Sequence, residues 1–315
     1  MRYPWIVPVA AALVLLALPP LLSPYLHDLV VKIAIYAVFA LSLEPLVGVT
    51  GLVSLGHAAF LGIGAYVTVL AAGDSGGSVA RVLPLAVLAA AGYALFVGAL
   101  SLRTKGVYFI MVTLAFAQMA YFVFHDTKLG GGSDGVFLYV KPTLGALSLD
   151  DKGTLYYAVM AALIGTYALL ALLLRSRFGH ALAGIRVNEQ RMRAAGFRTY
   201  GYKLAAFVIA GALAGVAGFL IAVKDGAVNP ELLSWHESGA VLLMLILGGI
   251  GSLRGAVLGA IAFTLLKELF QLEALLGPLA SHWQMSLGLT IIAFVALLPK
   301  GLTGLRTRLT GAPHG

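Results

Sequence analysis

Few side chains in this sequence have a type and spacing that suit chemistry, and His57 is the most prominent of them. It lies within LVSLGHAAFLGIGAY (residues 52–66), where the other side chains are apolar, small or uncharged. A histidine serves as a general base or metal ligand only with suitable partner groups nearby. The chain has no cysteine, and no cluster of histidines, carboxylates and serines has the spacing of a metal or nucleophile site. We therefore predict no catalytic residue and no metal, and we expect His57 to pack within a helix, with ligand contact as the alternative.

A few other polar side chains interrupt long apolar segments, where burial in lipid is costly and often indicates function. Glu44 lies near the end of one such segment, and we expect it to reach the aqueous interface. Thr113 and Gln118 lie in mid-segment, five residues apart and on different helix faces, so they hydrogen-bond to other helices or contact a ligand. Lys267 and Glu268 lie near a helix end, where long side chains extend to the interface.

The composition indicates a membrane protein. Apolar residues make up 60% of the 315 residues, charged residues only 11%, and the mean hydropathy is +0.96. Soluble domains contain about 25% charged residues, so the bilayer is the expected solvent. Glycine is frequent, at 38 residues, which suits close contacts between membrane helices. The net charge of +8 is explained by cytoplasmic lysine and arginine rather than by binding to nucleic acid.

Apolar segments of about 20 residues predict an all-α polytopic membrane protein with about ten transmembrane helices. A long segment, 239–270, is interrupted at GGIGSLRG (248–255) and is interpreted as two short or re-entrant helices. The segment 51–72 is the other span that could re-enter rather than cross. One transmembrane domain, 1–315, accounts for the whole sequence. The predicted spans are 5–22, 29–48, 51–72, 82–100, 107–124, 154–174, 204–223, the two halves of 239–270, and 284–298.

The distribution of charge predicts that both termini are cytoplasmic. With that orientation, most basic residues fall in cytoplasmic segments and most acidic residues fall outside, as the positive-inside rule requires. Two connecting segments are long: 125–153, predicted to be external, and 175–203, predicted to be cytoplasmic. The cytoplasmic basic residues are Arg2, Arg103, Lys105, Arg175, Arg177, Arg186, Arg191, Arg193, Arg198, Lys203, Arg254, Lys300, Arg306 and Arg308.

The cytoplasmic segment contains a predicted amphipathic helix. From His180 to Ala195, apolar residues recur at roughly helical spacing and charged residues occupy the other positions. Gly196 follows as a natural helix end. Such a helix either lies on anionic lipid headgroups or docks into a cytoplasmic partner. Its spacing alone favours neither alternative.

The same segment resembles the EAA-type coupling loop of ABC importer permeases. Its pattern S-x-F-G-x-A-x-x-x-I-R-x-N-E-x(6)-G, from Ser176 to Gly196, resembles the branched-chain amino acid permeases of the LivM type. SLGHAAFLGIGAY, LRTKGVYFIMVTLAFAQM, GGSDG, KLAAFVIAGALAGVAGFL and GAVLLMLILGGIGSLRGAVLGA also resemble that family, in its order, across most of residues 40–265. One departure is that Gln190-Arg191-Met192 follows the glutamate where the family tends to have small residues.

The resemblance implies uptake of branched-chain or related hydrophobic amino acids by alternating access. It also implies a second homologous permease, giving a heterodimer, two cytoplasmic ATP-binding subunits and an external solute-binding protein. The sequence has no G-x-x-x-x-G-K-[ST] motif, so ATP and magnesium are expected to bind those partners and no cofactor to bind this chain. The residues that the family motif assigns to coupling with the ATPase are Phe178, Gly179, Ala183, Gly184, Arg186, Asn188, Glu189 and Gly196.

Two further sets of candidate residues follow. Discontinuous helix ends often line the substrate site of a transporter, because their free N–H groups meet a carboxylate. The start of the 51–72 span and the 248–255 break are the two such places. Urea, short amides and sugars remain open as substrates, and an ion-coupled transporter and a channel are the alternative classes. The pathway candidates are Ser54, Gly56, His57, Thr113, Gln118, Gly249 and Ser252, and the external gate candidates are Gly132, Ser133 and Asp134.

Overall fold

The computed structural model describes Pro19, residues 23–272 except Leu129 and Ala146, residues 282–298 and residues 301–304. The predicted span 5–22, apart from Pro19, lies outside these residues, as do Arg2, Lys300 and the basic tail. The described helices are α1 (Pro24–Glu44), α2 (His57–Ala72), α3 (Val79–Ser101), α4 (Val107–Asp126), α5 (Lys152–Arg175), α6 (Arg177–Val187), α7 (Glu189–Ala194), α8 (Thr199–Asp225), α9 (Trp235–Gly248), α10 (Leu253–Gln271) and α11 (Trp283–Leu297).

Four two-residue strands accompany the described helices. Strand β1 (Val136–Phe137) pairs antiparallel with β4 (Ala227–Val228), and β2 (Thr143–Leu144) pairs with β3 (Leu147–Ser148). We call the end of the bundle that carries α6 and α7 the inner end, and the opposite end, which carries these strands, the outer end. The names follow the orientation predicted from charge.

The structure confirms an all-α polytopic membrane protein. Among the described residues, seven helical segments are long and apolar enough to cross a membrane. The number is up to eight if α9 and α10 count as one span, since these two helices meet at an angle of 115° across a short break. That break lies within the interruption predicted at 248–255.

Helices α1, α2 and α8 form the buried centre of the bundle. About 78% of the most apolar stretch of α1 and of α8 is buried inside the protein, against 22% for the corresponding stretch of α4. Small residues allow the close approach: a Cβ on Gly64 of α2 would lie 2.7 Å from the Cα of Gly215 in α8. On the other side of α8, Gly215 and Gly211 face Ala90 and Ala94 of α3. Without a hydrophobic driving force between helices in lipid, such small-residue contacts supply the association by close packing.

The α-helical hydrogen bonding of α1 stops at Glu44, but the helix does not end there. It continues through Pro45–Thr50 as one turn of π-helix, and Gly51 then ends it in the left-handed conformation with φ +74°. Residues 51–56 are therefore not helical, and α2 begins at His57. The expectation of a helix that begins at residue 51 is wrong on this point. The cause is Gly51, whose positive φ turns the chain out of the helix, and Gly56 is then the N-cap residue of α2.

The predicted amphipathic helix is two helices rather than one. Asn188 interrupts it with extended backbone angles (φ −157°, ψ 98°), and its side chain accepts a hydrogen bond from the backbone N–H of Arg191 at 2.9 Å. The asparagine therefore ends α6 and caps α7. Gly196, with φ +88°, follows α7 as predicted.

Candidate functional site

The inner end brings together three irregular elements: helix α6, the π-helical turn after α1 and the break between α9 and α10. The face of α6 that contains Gly179, Leu182 and Ile185 is buried against the bundle. Arg186, at the end of α6, donates a hydrogen bond from Nη1 to the carbonyl oxygen of Gly48 in the π-helical turn. Gly48 lies in the last turn before Gly51 ends the helix, where carbonyl groups have no partner within the helix, so its carbonyl is available to this donor.

Glu44 lies on the other side of the same turn. Its side chain is buried, with only 1% exposure, and Oε1 accepts a hydrogen bond from the backbone N–H of Gly251 at 2.7 Å. Its second oxygen, Oε2, is buried with no partner among the described residues. The expectation that Glu44 reaches the interface is therefore wrong. The additional turn Pro45–Thr50 extends the helix beyond Glu44 and keeps the carboxylate inside the protein.

The break between α9 and α10 is shaped by glycines and closed by a cap. Gly249 and Gly251 have positive φ angles of 111° and 95°, and the Ser252 hydroxyl caps α10 by accepting from the N–H of Gly255 at 3.0 Å. A Cβ on Gly301 would lie 2.5 Å from the backbone nitrogen of Gly249, so the chain after α11 contacts the same break. Candidate residues Gly249 and Ser252 thus belong to the inner junction, which we define as Arg186, Gly48, Glu44 and residues 249–252.

Glu189 holds α7 against the start of α8. Its Oε1 accepts hydrogen bonds from Arg193 Nη2 at 2.6 Å, Lys203 Nζ at 2.9 Å and the Thr199 hydroxyl at 3.0 Å. Burial favours the neutral acid and is the largest single influence, but the three donors together outweigh it and hold the pKa of Glu189 at about 2. The carboxylate therefore faces inward, within the chain, rather than outward toward a partner.

The remaining coupling candidates divide between packing and exposed positions. Phe178 stacks on Tyr202 of α8 with ring centroids 5.6 Å apart, and Gly184 lies against the side chain of Met192 in α7. In contrast, Ala183 and Asn188 are exposed, and Val187 beside them has 83% of its surface exposed. These three residues form a free surface at the junction of α6 and α7.

His57 has the surroundings of a packed residue. It is fully buried, stacked on Phe39 at 5.4 Å and in edge contact with Phe60 at 5.5 Å. Its Nε2 lies 2.8 Å from the Ser42 hydroxyl, which donates its own hydrogen to the carbonyl of Phe39. Nε2 must then carry the proton and donate to Ser42, which leaves Nδ1 as a buried acceptor with no partner in the described part of the chain. No group of three or more histidines or carboxylates in that part is arranged to hold a metal ion.

The start of α2 is satisfied by the protein itself. The N–H of Ala58 donates to the Ser238 hydroxyl of α9 at 2.9 Å, and the N–H of Gly56 donates to Ser54 Oγ at 3.2 Å. A Cβ on Gly56 would collide with the carbonyl oxygen of Thr113. Since Glu44 occupies an amide at the α9–α10 break in the same way, both helix ends predicted to receive a substrate carboxylate have acceptors from this chain.

Thr113 and Gln118 are not equivalent. Thr113 is fully buried, but its hydroxyl donates to the carbonyl of Ile110 in its own helix at 2.9 Å. Among the described residues, the Thr113 hydroxyl therefore bonds to its own helix rather than to another helix. Gln118 is half-buried on another face of α4.

The gate candidates lie at the opposite, outer end. Gly132, Ser133 and Asp134 form one 3₁₀ turn after α4, and the Ser133 hydroxyl donates to Asp134 Oδ1 at 3.3 Å. The neighbouring Gly130 is anchored, because its carbonyl accepts from the Tyr66 hydroxyl at 3.3 Å. Gly135 lies tightly against the carbonyl of Val228, beside the β1–β4 pairing.

The structure therefore brings one coupling candidate, Arg186, to the turn that adjoins residues 249–252, and it leaves the gate candidates and Gln118 elsewhere. Sequence reasoning missed three residues at this end of the bundle: Gly48 and Glu44 of the inner junction, and Gly301, which lies against Gly249. The sequence offered no local signal for Glu44, because a residue followed by proline usually marks a helix end, whereas here the helix continues through Pro45–Thr50.

Buried broken helices, a polar junction at one end and surface helices on that side define a polytopic membrane protein. A family described as "Branched-chain amino acid transport system / permease component" matches residues 25–297. The chain is 29% identical to the high-affinity branched-chain amino acid transport system permease protein LivM of Escherichia coli (strain K12), over 93% of this chain and 73% of that protein. No solved structure matches the chain significantly.

Of two other relatives, one is less similar in sequence and the other matches a shorter part of this chain. The permease protein BraD of Pseudomonas aeruginosa, also of a high-affinity branched-chain amino acid transport system, is 23% identical over 77% of this chain and 85% of that protein. The xylose transport system permease protein XylH of Escherichia coli (strain K12) is 33% identical over only 27% of this chain and 23% of that protein.

The chain belongs to the family of branched-chain amino acid transport system permease components, which confirms the resemblance found in its motifs. It is a multi-pass protein of the inner membrane.

Proposed function

We propose that this chain is the permease subunit of an importer that takes up branched-chain amino acids at the expense of ATP hydrolysed by separate subunits. The full complex would contain a second homologous permease, two cytoplasmic ATP-binding subunits and an external solute-binding protein. ATP and magnesium would bind the ATPase subunits. The similarity to LivM, over 93% of this chain and 73% of that protein, supports the substrate class, while the similarity to XylH covers too little of the chain to favour a sugar.

The observation that carries this proposal is the inner junction. Val187 and its exposed neighbours present a surface to a partner, and Arg186, one residue earlier, contacts the π-helical turn. The same turn adjoins Glu44, which holds Gly251 in the α9–α10 break. The hydrogen bond from Arg186 to Gly48 and the hydrogen bond from Gly251 to Glu44 are therefore only about one helical turn apart, at Pro45–Thr50.

In this mechanism, an ATPase that closes on nucleotide displaces α6 and, through Arg186, the π-helical turn. The displacement alters the hydrogen bond between Glu44 and Gly251 and repositions the inner ends of α9 and α10. Alternating access requires that nucleotide and the loaded binding protein stabilise the two states to different extents. The gate candidates Gly132, Ser133 and Asp134 lie at the opposite end, where a binding protein would deliver substrate.

Substitution of Arg186 by methionine tests the proposal. The variant keeps an unbranched apolar side chain but loses the guanidinium group and its hydrogen bond to Gly48, so the reconstituted complex should still hydrolyse ATP while uptake of labelled leucine falls roughly tenfold or more. The matched control is Arg103→Met, because Arg103 is an exposed arginine of the α3–α4 connection at the same end. Native uptake and native stimulation of the ATPase in Arg186→Met would refute coupling through this residue.

A further inference from the structure

A cavity of about 630 Å³ lies between α1, α9, α10 and α11. It is distinct from the inner junction: its polar residues come from the outer ends of these helices, Lys32 of α1, Glu237 of α9 and Lys267 of α10 among them. Its volume is within the range of ligand pockets, about 300–1,000 Å³. The remainder of the wall is apolar, and Leu243, Met244, Phe263, Leu287 and Ile291 form much of it.

The polar residues of the cavity carry both signs of charge. Lys32 is neutralised by Glu268, since Nζ lies 2.7 Å from Oε1. Lys267 is different: its Nζ lies 5.4 Å above the ring of Trp283, and no carboxylate of the described residues is within ion-pair distance of it. Glu237 likewise has no ion pair among the described residues and neighbours the Tyr36 hydroxyl. Lys267 and Glu237 therefore face the same cavity without an ion pair between them, and the exposed Glu231 adds a second carboxylate to its lining.

We propose that this cavity binds a zwitterion with an apolar tail, whose ammonium group lies at Glu237 and whose anionic oxygens lie at Lys267. Buried or half-buried charges are stable when paired, and a ligand with both charges pairs both residues at once. The apolar wall, which extends from Leu243 on α9 to Ile291 on α11, then receives the tail. A ligand of one sign alone would leave either Glu237 or Lys267 unpaired.

Two sources supply this chemistry: a free α-amino acid with an aliphatic side chain, and the headgroup of phosphatidylethanolamine. The amino-acid source rests on the proposed function and would make the cavity a binding position for substrate in the outer half of the permease. The lipid source does not rest on it. The shared chemistry is an ammonium group and an anionic oxygen group on one small scaffold with an attached hydrocarbon.

The structure offers a substitution that fills the cavity without disturbing its wall. Gly288 of α11 lines the cavity, and a Cβ built on it meets no atom within 4 Å. Leucine at this position would project into the space, and within a helix it is more favourable than glycine by roughly 0.8 kcal/mol. Gly165 of α5 is an exposed helical glycine that also has open space at its Cβ and does not line the cavity, so Gly165→Leu is the matched control.

The experiment measures ligand binding by the membrane complex of both permeases and both ATP-binding subunits in nanodiscs, without the solute-binding protein and without ATP. With phosphatidylglycerol as the lipid, we expect saturable binding of labelled leucine that Gly288→Leu abolishes. Glu237→Gln and Lys267→Met should weaken binding roughly tenfold or more. Gly165→Leu and the surface variant Lys152→Met should bind as the native protein does. In parallel, native mass spectrometry with phosphatidylethanolamine present tests whether a tightly retained lipid is lost from the same variants.

Each outcome is decisive. Leucine binding that depends on the cavity residues establishes the proposal with a solute as ligand, and cavity-dependent retention of phosphatidylethanolamine establishes it with a lipid. If neither ligand is affected by Gly288→Leu, Glu237→Gln or Lys267→Met, the cavity is not a zwitterion site. That result leaves the proposed function intact, since uptake by the native complex and its loss in Arg186→Met are measured separately.

Discussion

At the scale of single residues, the polar side chains within the membrane segments act mainly on this chain's own backbone. His57 donates to Ser42, Ser238 caps the start of α2, and Glu44 caps the amide of Gly251. Buried polar groups require such partners because an unsatisfied group costs roughly 1–3 kcal/mol. Packing of His57 could be predicted from its type and isolation. The role of Glu44 could not, because its partner lies 207 positions away along the chain.

The contact between Glu44 and Gly251 leads to a pair of substitutions. Glu44→Gln keeps a carbonyl oxygen that can accept from Gly251, so uptake should stay within a few-fold of native. Glu44→Leu has a similar size but no acceptor, which leaves the amide unsatisfied, and uptake should fall about tenfold or more. Transport assays in proteoliposomes give the comparison. Full activity of the leucine variant would mean that this hydrogen bond does not matter, and an inactive, well-assembled glutamine variant would mean that the charge itself is needed.

At the scale of elements, the periodicity of the sequence predicted where helices lie, but it revealed only some of the points at which they are interrupted. The break at 249–252 was visible as GGIGSLRG because clustered glycines disfavour a continuous helix. The split at Asn188 was not visible, because the apolar spacing continues through it. It is revealed by the hydrogen bond that the Asn188 side chain accepts from the backbone N–H of Arg191. The π-helical turn Pro45–Thr50 also left no periodic signal, and it displaced the start of α2 by six residues relative to the predicted span.

The attachment of α7 to α8 through Glu189 should depend on pH. The pKa of Glu189 is lowered from 4.5 to about 2 in the folded protein, so the carboxylate stabilises the fold fully above pH 4.5. That contribution is lost as the pH falls from 4.5 toward 2. We therefore expect Glu189→Gln to lower the melting temperature by a few degrees at pH 7, and the difference from native to shrink below pH 4.5. Thermal unfolding in detergent measures both, with Gln190→Ala on the exposed side of α7 as control; a constant difference across this pH range would contradict the assignment.

At the scale of the whole molecule, the bundle has a tightly packed centre and helices with largely exposed outer faces. The close contacts of α2, α8 and α3 depend on Gly64, Gly211 and Gly215, whereas α4 and α5 leave many large apolar side chains uncovered. In a membrane, exposed apolar faces are covered by lipid or by another subunit. The small-residue pattern KLAAFVIAGALAGVAGFL predicted a helix, but which helices it contacts depends on the three-dimensional arrangement that sequence spacing does not encode.

A glycine-to-leucine substitution should therefore have different effects in the packed centre of the bundle and on its exposed outer faces. A Cβ on Gly215 would lie 2.7 Å from the Cβ of Ala90 and 3.2 Å from the carbonyl oxygen of Ala86, so Gly215→Leu forces α8 away from α3. Overpacking of this kind costs typically 1–3 kcal/mol and often more for a side chain as large as leucine. We expect Gly215→Leu to reduce the amount of folded protein extracted from membranes and to lower its melting temperature by several degrees. Gly165→Leu, on an exposed face of α5 with nothing within 4 Å of the new Cβ, should match the native protein in both measurements. Equal stability of the two variants would mean that the contact between α8 and α3 is not a rigid part of the bundle, and that motion between these helices can accommodate a large side chain.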